Sequence, residues 1–65
     1  MTRKYRYEIY AETYRKLSPD RRAEYKAHYL NWHRRNLESG RQDLIIFTEQ
    51  ILVQIAAVDN ENHAA

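Results

Sequence analysis

Residues 44–58 read LIIFTEQILVQIAAV, and this stretch decides the fold of the chain. As a helix it is apolar on every side, and such a helix is normally buried all round. Its strongest face holds Leu44, Phe47, Ile51, Ile55 and Val58. The stretch also has a high β propensity, but no turn residue divides it into two strands. We therefore predict a third helix over about residues 42–58.

Residues 17–20 read LSPD and mark the boundary between two earlier helices. Ser18 can accept hydrogen bonds from the free amides of a new helix, and Pro19 suits the first helical position. Asp20 suits the positive end of the helix dipole, and Gly40 favours a left-handed C-cap. The two helices that precede the third are predicted over about residues 3–17 and 19–38.

The predicted fold is all-α, with a helical hairpin about Ser18–Pro19 and the apolar third helix packed on it. We expect one helical domain over residues 1–58 and a disordered polar tail over residues 59–65. The predicted core comprises the apolar side chains on the inward stripes. These are Tyr7, Tyr10, Tyr14, Leu17, Leu30, Leu37, Leu44, Phe47, Ile51 and Ile55.

The small size of the chain favours self-association. A 65-residue chain without cysteine has no disulfide or thiolate zinc site to stabilise it. Two short helices also do not surround a third that is apolar all round. We expect a homo-oligomer, most simply a dimer, with Ile46, Val53 and Ala57 as the contact. Exchange of the third helix between subunits remains open.

Charge is divided unevenly along the chain. All eleven Lys and Arg residues lie at or before Arg41, where five acidic residues leave a net charge of +6. The remaining residues carry four acidic side chains and no Lys or Arg, which gives −4. A basic, tyrosine-rich segment followed by a short apolar one favours a protein that presents a binding surface.

Enzyme chemistry, metal binding and cofactor binding have little support in the sequence. Glu8 and Glu12 are one turn apart but are typical of a solvated face, and Ser18 is better explained as a cap. His28 and His33 are five residues apart, whereas helical zinc ligands are spaced by four, and His63 lies in the predicted tail. No glycine-rich loop is present to hold a phosphate. We predict a non-enzymatic protein without cofactor or metal.

The aromatic and basic residues of the second helix are the strongest candidates for function. Tyr, Trp and Arg are enriched at protein–protein hot spots, and all six Tyr, the Trp and the eight Arg lie within the first 41 residues. The predicted recognition face comprises Arg22, Tyr25, Tyr29, Trp32, Arg35 and Asn36. Three interpretations remain open: a regulatory protein that binds a partner protein, a DNA-binding protein that uses the same face, and packing of these residues inside the protein or its oligomer.

Two resemblances bear on this choice. Residues 14–25, YRKLSPDRRAEY, resemble the junction before the last helix of HMG boxes, a likeness that implies minor-groove DNA bending. It covers about twelve residues and carries over no wedge residue, so we interpret it as shared capping chemistry. In overall character the chain is similar to the small helical early-region proteins of temperate bacteriophages. That resemblance implies an oligomeric regulator that binds other proteins.

The sequence also bears on location. The N-terminus has basic residues without an apolar core behind them, unlike a signal peptide. Residues 44–58 are shorter than a membrane-spanning helix, and the basic residues do not flank them as they do in membrane-surface helices. We expect a cytoplasmic protein that does not bind membranes.

Overall fold

The computed structural model describes residues 6–61, and these residues form three α-helices. The helices are α1 (Glu8–Lys16), α2 (Pro19–Ser39) and α3 (Gln42–Glu61). No strand occurs within this part of the chain, so the predicted all-α class is confirmed. Residues 3–5, where α1 was expected to begin, lie outside the described residues, and Arg6 and Tyr7 precede the helix.

Local capping chemistry sets the boundaries of α2 as predicted. The Ser18 side chain accepts a hydrogen bond from the Arg21 amide at 3.4 Å, and Pro19 occupies the first turn. At the other end Gly40 adopts φ +73°, and its amide donates to the Asn36 carbonyl at 2.9 Å. Apart from Gly40 and its two chain neighbours, no described residue places an atom within 4 Å of a Cβ built on Gly40. The left-handed backbone, and not lack of space, therefore favours glycine there.

The third helix is longer than the sequence predicts. It continues to Glu61, so the expectation of a tail beginning at Asp59 is wrong for residues 59–61. The Asp59 carboxylate accepts hydrogen bonds from the Tyr14 hydroxyl at 2.8 Å and the Lys26 ammonium at 3.1 Å. These partners on α1 and α2 hold the last turn in helical form. The tail predicted over residues 62–65 lies outside the described residues.

α3 packs against both α1 and α2, whereas α1 and α2 meet mainly through aromatic rings. The ring centroids of Tyr10 and Tyr29 are 5.8 Å apart, and those of Tyr14 and Tyr25 are 5.9 Å apart. The buried apolar residues are Ala11, Tyr14, Ile51, Ile55 and Val58. The partly buried residues that pack on them are Tyr7, Tyr10, Tyr25, Tyr29, Phe47 and Leu52.

Two predicted core residues are on the surface. Leu30 and Leu37 expose 48% and 55% of their area, so their assignment to the core is wrong. The aromatic stripe of α2 takes the inward position instead, because its larger rings bury more apolar surface against α3. The other eight predicted residues are buried or partly buried.

Candidate binding groove on the second helix

Arg22 is part of the fold and not of an open recognition face. Its Nε atom donates to the carbonyls of Tyr14 and Leu17, both at 3.1 Å, and its Nη2 atom donates to the Arg15 carbonyl at 2.7 Å. These carbonyls lie at the C-terminal end of α1, where helix carbonyls lack the usual backbone partner four residues later. The guanidinium carbon also lies 5.3 Å from the Tyr14 ring centroid. Arg22 therefore caps α1 and fixes the angle at which α2 leaves it.

Tyr25 and Tyr29 are also engaged within the molecule. Their ring centroids are 5.0 Å apart, and both rings pack against the buried core. Burial raises the pKa of Tyr25 well above its ordinary value. The two tyrosines are partly buried, so they support the neighbouring surface from behind and do not provide a stacking platform.

Asn36 is 5% exposed and belongs to the interior, so its placement on the recognition face is wrong. Its Nδ2 atom donates to the Leu44 carbonyl at 3.2 Å and lies 3.5 Å from the Thr48 hydroxyl. Thr48 is fully buried, and its hydroxyl donates to the Leu44 carbonyl at 2.9 Å. An amide placed here ties α2 to the first turns of α3.

His33 completes this inner polar cluster, defined as His33, Asn36 and Thr48. Its Nδ1 atom lies 2.7 Å from the Thr48 hydroxyl oxygen. The same oxygen lies 2.9 Å from the Leu44 carbonyl oxygen and 3.2 Å from the Ile45 carbonyl oxygen, so it links the histidine ring to the first turns of α3. No buried side-chain polar atom of the described residues lacks a hydrogen-bond partner.

Trp32 and Arg35 are the two predicted recognition residues that line one groove together. With His28 and Asn31 they line a groove of about 450 Å³. The four residues follow an i, i+3, i+4, i+7 spacing and so share one side of α2. The Trp32 ring packs against Phe47, with centroids 5.8 Å apart, and against Tyr29 at 6.1 Å. The indole is thus fixed in position while it remains partly exposed.

The groove has an unsatisfied positive charge. Arg15, Arg21 and Lys26 each pair with a carboxylate, at 2.6 to 3.6 Å. Arg35 has no such partner within residues 6–61. Besides the capping Arg22, the other Lys and Arg side chains in this range without a carboxylate partner are Arg6, Lys16, Arg34 and Arg41. The Arg34 guanidinium donates a hydrogen bond to the Asn31 side-chain oxygen at 3.4 Å.

The predicted oligomer contact is available but uncovered in the single chain. Ile46 and Val53 are 58% and 52% exposed, and Ala57 is also exposed. They lie on the side of α3 away from its buried face. Among the described residues, no group of three His, Cys, Asp or Glu side chains is arranged to hold a metal ion. No helix in residues 6–61 combines the length and apolar character needed to cross a bilayer.

Comparison of the chain with protein-family models, curated proteins and solved structures found no match. The groove is therefore interpreted from its own geometry. His28 and Asn31 were not among the predicted recognition residues, although their helical spacing from Trp32 and Arg35 was a signal that the sequence contained. The sequence offered no comparable signal that Arg22 caps α1, because its carbonyl partners depend on the angle between two helices.

Proposed function

We propose that this protein is a small, non-enzymatic, cytoplasmic regulator that binds an acidic segment of a partner protein in the groove on α2. The observation that carries the proposal is the placement of Trp32 beside Arg35 in one open groove. A fixed indole next to an unpaired guanidinium is a pairing typical of protein–protein hot spots.

The chemistry of the groove favours a carboxylate next to an apolar side chain. The Arg35 guanidinium can accept a carboxylate in a bidentate arrangement, which gives direction as well as charge. Asn31 and His28 add hydrogen-bonding groups on the same side of the helix. The flat face of Trp32 supplies the apolar wall. An extended or helical segment with Asp or Glu beside Leu or Phe fits these requirements.

Nucleic acid is the second candidate, and the exposed part of Trp32 beside Arg35 favours it. Base stacking on an aromatic ring flanked by cations is how single strands are bound. Affinity for duplex DNA comes largely from Lys and Arg contacts to phosphates, and a protein with a strong salt dependence makes about 6–10 of them. The unpaired cations on or next to the second half of α2 are Arg34, Arg35 and Arg41, and Glu38 lies among them. This charge is small for a nucleic-acid site, so a protein partner is favoured.

Regulation by occupancy of a partner's surface suits a chain of this size. The groove carries no nucleophile with a base and an orienting group beside it, so binding is the activity we assign to it. We also propose that the protein is a small early-region protein of a temperate phage, because it is similar in type to those proteins, which act by binding other proteins.

A matched pair of charge reversals tests the site. Arg35→Glu and Arg41→Glu both replace an exposed arginine without a carboxylate partner in the described part of the chain, but only Arg35 lines the groove. Immobilised wild-type protein and both variants are incubated with lysate of the source cell, and captured proteins are identified by mass spectrometry. We expect a protein that the wild type and Arg41→Glu retain and Arg35→Glu loses. Equal capture by all three would contradict the proposal.

Titration of a labelled DNA duplex and of the matching single strand separates the two candidates. Nucleic-acid binding through phosphates weakens steeply between about 50 and 200 mM salt. Nucleic-acid binding that weakens steeply with salt and is lost in Arg35→Glu would favour a nucleic acid over a protein as the partner. Absence of binding at about 50 mM salt would exclude the second candidate.

A further inference from the structure

An exposed aliphatic surface runs along one side of α2. Leu30 and Leu37 are 48% and 55% exposed. They alternate with Lys26 and His33 at an i, i+4, i+7, i+11 spacing, so the four side chains form one stripe. Lys26 and His33 both reach across to α3. The stripe therefore borders the seam between α2 and α3.

A matching stripe lies on α3. Thr48 forms a hydrogen bond with His33 at 2.7 Å, and Asp59 accepts one from Lys26 at 3.1 Å. Ile45 and Leu52 share the side of α3 that carries these two residues, and both remain partly exposed. The two helices thus bring four large aliphatic side chains to one surface. We name it the aliphatic face, and its members are Leu30, Leu37, Ile45 and Leu52.

Two opposite charges occupy equivalent positions on this face. Arg34 follows Leu30 by four residues and precedes Leu37 by three. Glu49 stands in the same relation to Ile45 and Leu52. Neither has an oppositely charged partner within ion-pair distance among residues 6–61. One chain therefore presents a cation on α2 and an anion on α3, each between two aliphatic side chains.

A second copy of the chain can cover the aliphatic side chains of both helices and pair both charges at the same time. In a two-fold pair the same patch is used by both subunits, and with the axis parallel to the helices α2 of one lies on α3 of the other. Leu30 and Leu37 then pack against the partner subunit's aliphatic side chains. Arg34 meets Glu49 of the partner subunit, and the reciprocal pair forms by symmetry. One copy of the face thus provides the aliphatic side chains and the opposite charges that a second copy needs, whereas an unrelated partner would have to supply them separately.

The area of the aliphatic face agrees with a second copy of the chain as its partner. α2 and α3 contain 21 and 20 residues, which makes each about 30 Å long. Adjacent helices lie about 8–10 Å apart, so the pair presents a face of about 600 Å² before side-chain relief is counted. A stable interface buries about 800 Å² on each partner. The two-helix face approaches that size, whereas a single stripe on α3 does not.

We propose that the aliphatic face is the interface of a homodimer in which the α2–α3 hairpins of two chains form an antiparallel four-helix arrangement. This face differs from the contact expected from the sequence. Ile46 and Val53 follow Ile45 and Leu52 by one residue and so lie about 100° further around α3. The binding groove occupies another side of α2, so the dimer leaves two grooves open.

Sedimentation equilibrium of the full chain and three variants tests the interface. We expect the wild type to dimerise at about 100 µM, and the double variant Leu30→Gln/Leu37→Gln to dimerise at least about tenfold more weakly. Val53→Gln and Ile9→Gln are matched controls, because each removes one aliphatic side chain of similar exposure outside the face. Both should dimerise as the wild type does. Equal helical circular dichroism establishes that each variant is folded.

An exchange of the two charges provides a second test of the interface in case the leucine variant does not fold. Arg34→Glu and Glu49→Arg each place like charges together and should weaken dimerisation, and the doubly exchanged chain should recover it. A wild type that remains monomeric at about 100 µM would overturn the proposal. Dissociation by Val53→Gln with an unaffected leucine variant would also overturn it, in favour of the α3 stripe. Failure of the exchange to restore the dimer would reject the paired arrangement of α2 on α3.

Discussion

Two polar clusters join α3 to the rest of the molecule, one near each end, and they differ in burial and in charge. The inner polar cluster lies near the α2–α3 turn, where Asn36 and Thr48 are 5% and 0% exposed. The terminal charged cluster, defined as Tyr14, Arg15, Lys26, Asp59 and Glu61, lies at the end of α3. Its Arg15 and Glu61 side chains are about half exposed, at 49% and 52%.

The difference predicts which end tolerates change. A buried neutral hydroxyl or amide has no water to replace a lost partner, so its removal leaves the remaining groups unsatisfied. An exposed ion pair exchanges its partner for water at little cost, because the charges remain hydrated. The end near Gly40 should therefore be the stable one, although the other end contains more charges and more salt bridges.

The largest effect is expected from Thr48→Val, which keeps the shape of the side chain and removes its hydroxyl. His33 loses the hydroxyl that its Nδ1 atom contacts, and Asn36 loses one of its two contacts on α3. We expect the free energy of unfolding to fall by about 2 kcal/mol in urea titrations at pH 7. Thr48→Ser, which keeps the hydroxyl, serves as the control. A Val variant as stable as the wild type would show that the hydroxyl contributes little.

An intermediate effect is expected from Asp59→Asn, and it depends on pH. The hydrogen bond from Tyr14, assisted by that from Lys26, lowers the pKa of Asp59 below its ordinary value. A lowered pKa in the folded state means that the carboxylate stabilises the fold above its unfolded pKa of about 3.9. This contribution is lost as the pH falls from about 4 through the folded value.

The Asp59→Asn variant should thus be less stable than the wild type by about 1 kcal/mol at pH 7. The difference should shrink below about pH 4, because the wild-type carboxylate is then protonated as well. Urea titrations at neutral and acidic pH measure both values. Glu38→Gln removes an exposed carboxylate that has no ion pair in residues 6–61, and it should retain the acid dependence. A constant difference between the Asp59→Asn variant and the wild type at every pH would contradict the assignment.

The inner and terminal clusters also show which parts of the fold could be predicted from the sequence. Helix boundaries at Ser18, Pro19 and Gly40 were predictable because the capping groups act within a few residues of themselves. The turn held by Asp59 was not, because its partners lie 45 and 33 residues away. Only the packed arrangement of the helices brings these groups together.

The candidate site was predicted only in part for a related reason. The second helix carries an aliphatic and an aromatic stripe, and the sequence does not say which of them faces α3. Burial of Tyr25 and Tyr29 leaves Trp32 at the edge of the interface and places Leu30 and Leu37 outside. A polar residue such as Asn36 is normally expected on the surface, so its interior role required the position of the Leu44 carbonyl to be known.

The smallest effect is expected from Arg15→Gln at the exposed end. Its guanidinium makes two bonds to Glu61, at 3.1 and 2.6 Å, and the pair lowers the pKa of the Glu61 carboxyl. Both side chains are open to water and salt, so the strong geometry brings little net stability. We expect the urea midpoint of Arg15→Gln to lie close to that of the wild type at about 150 mM salt, where exposed charges are screened. Any difference should appear mainly at low salt. A marked loss of stability that persists at high salt would show that the end of α3 depends on this ion pair. The terminal charged cluster would then stabilise its end of α3 as much as the buried inner polar cluster stabilises the other.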